Sequence, residues 1–343
     1  MGKRKLTKQQ RQRIRLKQQS IDIHSVPGEH PVEKGIVISN YGKRVDVLSQ
    51  QGSIKVCFFR QNMGSLVIGD DVLWTPAEDY GNHQETIYDG VILSLNSRRS
   101  ALYRTDFRGQ KKLIAANIDT VFIVSAINPD LYITTYGINA GLIDRYLISC
   151  HYHQLQAVVI INKLDLLQSQ EDLQGLTDFA GIYRKLNYPV ILCSSMNQQG
   201  IDEIVPWLKQ KQSIFVGQSG VGKSSLINAI IPSAEAKVAQ ISSHTGKGKH
   251  TTTTSVLYSM DLAGTRVMDS PGVREFGLDY LDELQVLSGF HEIFDYARNC
   301  RFRDCRHMNE PGCAVLEAVK QQNISGLRFN SYQQIIASLQ GAH

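Results

Sequence analysis

Residues 214–225 read IFVGQSGVGKSS, an apolar run leading into Gly217, four further residues, and then Gly222-Lys223-Ser224. That spacing suits one chemistry. Glycines let consecutive backbone N–H groups turn inward around phosphate oxygens, and the N-terminus of a following helix adds its positive end. The loop Gln218, Ser219, Gly220, Val221 lies between the two glycines, and Ser225 follows it into a helical LINAII. Lys223 would reach the β and γ phosphates as the catalytic cation, and the Ser224 hydroxyl would ligate Mg2+. A strand before and a helix after exclude a chance Gly-rich turn. The stretch predicts a nucleoside triphosphate site.

Upstream, the apolar LQAVVII ends in Asn162-Lys163-Leu164-Asp165. A carboxylate at Asp165 can accept from guanine N1–H and the 2-amino group together. Adenine offers neither, so the carboxylate would be left unpaired. Asn162 is expected to hold the loop and touch the base edge, with the Lys163 stem over the ring. Alone, the tetrapeptide is an ordinary solvated turn; beside a phosphate loop it selects GTP. In YPVILCSSM, Ser194 and Ser195 fall at a strand end, where their backbone N–H groups could meet guanine O6.

Past the phosphate loop come GKGKHTTTTS and the strand TRVMDSPG. Asp269 would hold the Mg2+ water shell, and the Gly272 N–H would meet the γ-phosphate. From the threonine run, Thr252 is preferred over Thr251 to complete the Mg2+ coordination. Gly246, Lys247, Gly248 and Lys249 make a basic segment of the kind that orders on a γ-phosphate or a partner. Many GTPases place Gln directly after this aspartate–glycine motif to orient water. Here the position is Val273, which cannot hydrogen-bond, so intrinsic hydrolysis should be slow. The motif order is NKLD, serine loop, phosphate loop, threonines, DSPG, a circular permutation of the usual order, which compact domains tolerate.

A second chemistry sits near the C-terminus. Cys300, Cys305, His307 and Cys313 supply three thiolates and one imidazole within fourteen residues. Four protein ligands complete a tetrahedral Zn2+ with no position for substrate water, so the predicted site is structural. Arg301, Arg303 and Arg306 would give the zinc loop a positive face. Cys57, Cys150 and Cys193 are scattered and read as small core residues.

The elements that position these groups follow from the rest of the chain. At 343 residues two or three domains are expected. With 42% hydrophobic and 20% charged residues the composition is globular, which excludes wholesale disorder. No apolar run approaches the roughly 18 residues that span a bilayer, and none follows the basic N-terminus as a signal peptide would require. Cysteine usage points to a reducing, cytoplasmic setting. Eight basic residues, from Lys3 to Lys17, precede the first acid, Asp22, leaving 29 basic against 32 acidic residues in the remainder. The positive charge is a tail property; it suits phosphate contact with nucleic acid, although a frayed terminus would look the same. Nothing argues for an oligomer, so a monomer is the default.

Residues 1–34 thus read as a basic tail. Five short β-rich pieces follow over 35–97: GIVIS, VDVLS, SIKVCFF, LVIGDDVLWT and TIYDGVILSL. Their spacing fits a small Greek-key barrel such as an OB-fold, leaving open another small barrel. SRRSALYRTDFRGQKK reads as a basic connector. Residues 98–278 then alternate strands (DTVFIVSAI, LQAVVIIN, YPVILCS, SIFVG, TRVMDS) with helical segments, as a doubly wound α/β domain does. Helical patterns flank the Cys/His cluster over 279–343. The fold class is multidomain α/β.

The combination of these parts resembles one family, the circularly permuted, small-ribosomal-subunit-dependent GTPases called RsgA or YjeQ. The resemblance runs from the barrel through the permuted motifs to CRFRDCRHMNEPGC. It implies an OB-fold, a permuted GTPase domain and a zinc domain. It also implies binding to the small ribosomal subunit and its rRNA, hydrolysis of GTP to GDP stimulated by that subunit, and a role in its late maturation. The resemblance and the local sequence both nominate His250, just before the threonines, to position the attacking water. The serine loop is Cys-Ser-Ser-Met where Ser-Ala is common. Read from the residues alone, an RNA-binding P-loop NTPase acting on another RNA or translation component is the alternative.

Overall fold

In the computed structural model the described residues are 31–42, 44–60, 63–77, 88–105, 110–131, 136–231, 256–259, 264–269 and 277–340. The chain divides into two compact units, Met1–Arg98 and Arg99–His343.

The first unit is a closed barrel of β1 (Glu33–Asn40), β2 (Arg44–Ser49), β3 (Ile54–Phe58), β4 (Asp71–Pro76) and β5 (Gly90–Leu95), in the order β1-β2-β3-β5-β4. The order is that expected of an OB-type barrel. Alternation explains its core: Val45 and Val47 on β2, Val72 and Trp74 on β4, and Val37, Cys57 and Ile92 all point inward. Arg98, which reads in sequence as part of a basic connector, belongs to this unit. Its guanidinium forks onto the fully buried Asp70, Nε to Oδ1 at 2.6 Å and Nη2 to Oδ2 at 2.8 Å.

The second unit opens with a hairpin, β6 (Ala101–Thr105) and β7 (Lys111–Ala116). The sequence reading as a connector is therefore corrected. The reason is that Leu102 and Ala115 pair across the hairpin and are buried, while Arg104, Lys111 and Lys112 gather at its other end. The Lys111 ammonium lies over the Tyr103 ring at 4.1 Å and the Tyr280 ring at 4.9 Å, so a charge that looks solvent-directed is absorbed by aromatic faces.

A six-stranded sheet follows, built of β8 (Thr120–Ala126), β9 (Gln156–Asn162), β10 (Val190–Leu192), β11 (Gln212–Val216), β12 (Val256–Ser259) and β13 (Arg266–Asp269). The order is β10-β9-β8-β11-β13-β12, parallel except for the antiparallel β12 at one edge. Strands β8 and β11 are buried along their whole length, as both faces of a doubly wound sheet require. Helices α1 (Ala140–Tyr152), α2 (Gln170–Arg184), the short α3 (Val205–Leu208) and α4 (Lys223–Ile230) connect the strands. Asn139 caps α1 and a Ser169/Asp172 capping box starts α2.

The C-terminal part is helical: α5 (Glu283–Ser288), α6 (His291–Ala297), α7 (Ala314–Lys320) and α8 (Gly326–Gln340). Helix α8 packs along α1. Between them Arg328 is almost fully buried, bonded through Nη1 to Asp144 on α1 and through Nε to Glu292 on α6 at 2.7 Å. Among the described residues no helix is long and apolar enough to cross a membrane.

Candidate functional site

The carboxyl ends of β9, β11 and β13 converge, which is where doubly wound sheets bind ligands. Strand β11 delivers Gly217 at φ +145; a Cβ there would lie 2.1 Å from the Val124 carbonyl oxygen, so no other residue fits. Gly222, at φ +91, is similarly forced, because a Cβ would stand 2.4 Å from Asn162 Nδ2. Ser219, Gly220, Ser224 and Ser225 face solvent around the loop, while Val221 is buried beneath it. Lys223 is buried, and its ammonium donates to the carbonyls of Gly217 at 3.1 Å and Gln218 at 2.9 Å. Burial lowers its pKa, opposed by the charge of Asp269.

Register explains why Asp269 lies here: it pairs with Phe215 across β11/β13, two residues before Gly217. The Ser224 hydroxyl donates to Asp269 Oδ2 at 2.8 Å. Burial pushes the Asp269 carboxyl up, while the Ser224 hydrogen bond and the Lys223 charge pull it down. Its Oδ1 is buried with no hydrogen-bond partner among the described residues. An orphaned buried carboxylate oxygen beside an exposed serine hydroxyl is a donor set that fits a hard divalent cation such as Mg2+.

At the other end, Asn162 is fully buried. Its Nδ2 donates to the Val221 carbonyl at 2.9 Å, and its Oδ1 accepts the Ser195 N–H at 3.1 Å. One amide thus ties the phosphate loop to the serine loop. Lys163 takes the left-handed conformation, φ +70, and so turns the chain after β9. Leu164 is buried, its N–H bonded to the Cys193 carbonyl at 3.1 Å, and Asp165 is exposed. The Ser194 hydroxyl donates to Asp165 Oδ1, fixing the carboxylate. Ser194 N–H donates to Gln199 O at 2.9 Å, and Ser195 N–H is the one used on Asn162. In this structure each N–H is engaged inside the loop, and the Ser194 side chain faces Asp165.

Sequence reasoning missed Tyr146. It lies on the buried face of α1, with its hydroxyl against the Gly217 backbone, where nothing local distinguishes it from a core residue. His250, Thr252 and the rest of the threonine run lie outside the described residues, as do Gly272 and Val273.

The Cys/His group is assembled. The ligand atoms of Cys300, Cys305, His307 and Cys313 all lie within 4.8 Å of one another. His307 faces the sulfurs through Nδ1, 3.4 Å from Cys313 Sγ and 3.6 Å from Cys300 Sγ, and those sulfurs are 3.8 Å apart. Tetrahedral zinc with bonds of about 2.3 Å to sulfur and about 2.0–2.1 Å to nitrogen would space sulfurs ~3.8 Å and nitrogen–sulfur pairs ~3.5 Å apart. The donors fit. Burial pushes the Cys305 thiol up to about 12 and raises that of Cys313, so holding these two as thiolates calls for a cation.

A P-loop and an N-K-x-D loop on one sheet edge, in permuted chain order and with a Cys3His loop downstream, define a permuted P-loop nucleotide-binding protein. The comparisons agree. Residues 95–279 match the family model for the RsgA GTPase. A small ribosomal subunit biogenesis GTPase RsgA of Haemophilus influenzae (strain PittGG) is 40% identical over 349 residues, covering 99% of this chain and 96% of the relative. One of Pectobacterium atrosepticum is 40% identical with the same coverage. The crystal structure of YjeQ from Thermotoga maritima has a TM-score of 0.68 at 29% identity and covers 91% of this chain and 99% of that one. YloQ, described as a circularly permuted GTPase, has a similar fold, with a TM-score of 0.64 at 24% identity over 93% of this chain and 98% of its own. The chain belongs to the RsgA GTPase family.

Proposed function

We propose that this protein hydrolyses GTP to GDP and phosphate in response to the small ribosomal subunit, and acts in that subunit's maturation. The observation that carries the nucleotide assignment is the Asn162 bridge, which joins a phosphate loop to an Asp165 carboxylate turned by Ser194. Asp165 accepts from guanine N1–H and the 2-amino group, and Lys163 covers the ring. Residues 217–225 wrap the phosphates, with the Lys223 ammonium offsetting the charge that builds between the β and γ groups. Ser224, Asp269 and Thr252 would hold Mg2+, which when bound neutralises phosphate charge. Gly272 would meet the γ-phosphate. His250 orients water for in-line attack; the bond from the γ-phosphorus to the bridging oxygen breaks and GDP leaves with that electron pair.

The partner assignment rests on the relatives, which are named as small ribosomal subunit biogenesis GTPases. The basic residues 3–17 add a counterion-releasing contact for rRNA phosphates. We assign the residues ahead of β1 to a basic tail, β1 through Arg98 to the OB-type barrel, 99–278 to the permuted GTPase domain and 279–343 to a helical domain closed by one structural zinc. Action on the ribosome places the protein in the cytoplasm. GTP turnover measured alone and with purified small subunits, with ATP and large subunits as controls, tests the proposal. Slow GTP-only turnover that rises with small subunits is expected. Fast turnover that ignores subunits, or an ATP preference, would overturn it.

A further inference from the structure

We infer that Glu310 pre-shapes the metal loop, its carboxylate gathering the backbone N–H groups on either side of His307 so that the imidazole is held at the sulfur cluster. Glu310 Oε1 accepts from the Arg306 N–H at 2.8 Å. Its Oε2 accepts from the Met308 N–H at 2.8 Å and the Asn309 N–H at 3.1 Å. One oxygen therefore takes the residue before the ligand and the other takes the two after it. Such charge-assisted bonds are stronger than those between neutral groups, and an ionised carboxylate can accept on both oxygens at once.

The clamp answers a specific difficulty. His307 presents Nδ1, the ring nitrogen nearer its own backbone, so the main chain itself must come close to Cys300 and Cys313. It does so in the left-handed conformation, φ +59, which a non-glycine residue disfavours. Three N–H groups drawn to one side chain hold that turn. The same residue's carbonyl accepts the Cys313 N–H at 3.2 Å, so a second ligand is tied to the clamp. Partners outside the ligand shell of this kind commonly change metal affinity 10–100-fold when removed. The hydrogen bonds of Glu310 go to backbone N–H groups around the ligands and not to a ligand side chain; it is a positioning residue. This inference rests on the Cys3His group being a metal centre, and the test separates the two.

The full chain is loaded with Zn2+ and its release to a colorimetric chelator is timed; the Co2+-substituted protein gives the ligand-field bands. Glu310→Ala should release zinc roughly 10–100-fold faster and weaken the tetrahedral Co2+ bands. Glu310→Gln keeps one accepting oxygen but turns a donor toward N–H groups, so its release rate should fall between wild type and E310A. Glu317→Ala removes an exposed carboxylate of the same domain, bonded to Gln321 at 2.9 Å, and should release at the wild-type rate. A general loss of helix stability would lower the melting temperature without this ranking. Wild type that binds neither Zn2+ nor Co2+ overturns the metal reading. Wild type that binds, with E310A and E310Q releasing at its rate and keeping its bands, overturns the clamp alone. Should E310A fail to accumulate folded, E310Q decides by the same criterion.

Discussion

Replacing Arg328 with methionine strands two carboxylates inside the α/β unit. Arg328 and Asp144 have side-chain exposures of 1% and 0%, and Glu292 has 10%. The guanidinium bonds both acids, holding Asp144 through Oδ1 and gripping Glu292 with Nε and Nη2 at 2.7 and 3.3 Å, and lies over the Phe290 ring at 4.4 Å. Truncating one partner of a buried pair typically costs about 3–5 kcal/mol, because the other charge stays buried and unpaired. Here two charges lose their partner, so the upper end of that range is expected. Arg99 provides the contrast within the same unit. Its pair with Asp119 is exposed at 62% and 29%, and Arg99→Met should cost only about 0–1 kcal/mol.

The deficit should depend on pH. Burial pushes the Asp144 carboxyl up and the charge of Arg328 opposes it. The upward push already wins, and removing Arg328 takes away the opposing charge, so the folded state takes a proton more readily still. A raised folded pKa stabilises at low pH and loses that contribution as pH rises through it. R328M should therefore recover stability as pH falls below 7, and adding Asp144→Asn should restore part of it at pH 7. Urea unfolding followed by fluorescence in a Trp74→Phe background reads this, since Trp207 then reports the α/β unit alone. A loss under about 1 kcal/mol at pH 7, or one that grows as pH falls, would refute the argument.

Gly222→Ala drives a methyl into Asn162 Nδ2 at a positive φ, so GDP affinity should fall about 100-fold, read by titration with a fluorescent analogue; a loss under threefold contradicts the packing argument. Ser194→Ala removes the hydroxyl that turns Asp165, worth about 1–1.5 kcal/mol or roughly tenfold in GDP affinity. Binding of adenine nucleotides should not change, and equal loss of both would deny Ser194 its place at the base. His250→Ala should keep nucleotide affinity while subunit-stimulated turnover drops about 100-fold. Full stimulated turnover in that variant removes His250 from the mechanism.

What could be read from the sequence was what is local. The phosphate loop, NKLD and the Cys3His set each carry their chemistry within a few residues, so spacing alone specifies them. The barrel strands were legible because alternation and turn residues recur along 35–97. What escaped depends on distant partners. The hairpin β6–β7 hid behind Arg104, Lys111 and Lys112, whose charges suggest a solvated connector until Tyr103 and Tyr280 are known to lie under Lys111. Strand β12 pairs antiparallel at the edge, and four residues after a threonine run show no period. Which imidazole nitrogen faces the sulfurs, and which N–H groups the serine loop uses internally, are matters of backbone conformation. Asp144 and Arg328 are 184 residues apart, and no local pattern pairs them.

Permutation sharpens the role of such distant contacts. In this chain Asn162 precedes Val221 by 59 residues, and the base and phosphate ends are joined by that one amide and not by adjacent chain. The strand that ends in Asp269 leads on to the C-terminal helices, and these return to the same place through α1. Asp144 on α1 takes Arg328 from α8. Ser149, one turn further, meets the Tyr280 hydroxyl at 3.2 Å just ahead of α5. Tyr146, between them, faces the Gly217 backbone. All three are buried, so α1 is covered on more than one side. The C-terminal helices thus meet, through Asp144 and Ser149, the same helix whose Tyr146 faces the phosphate loop. That is why moving the chain ends leaves the site intact: a surface loop can be cut wherever side-chain bridges, and not chain order, hold the ends together.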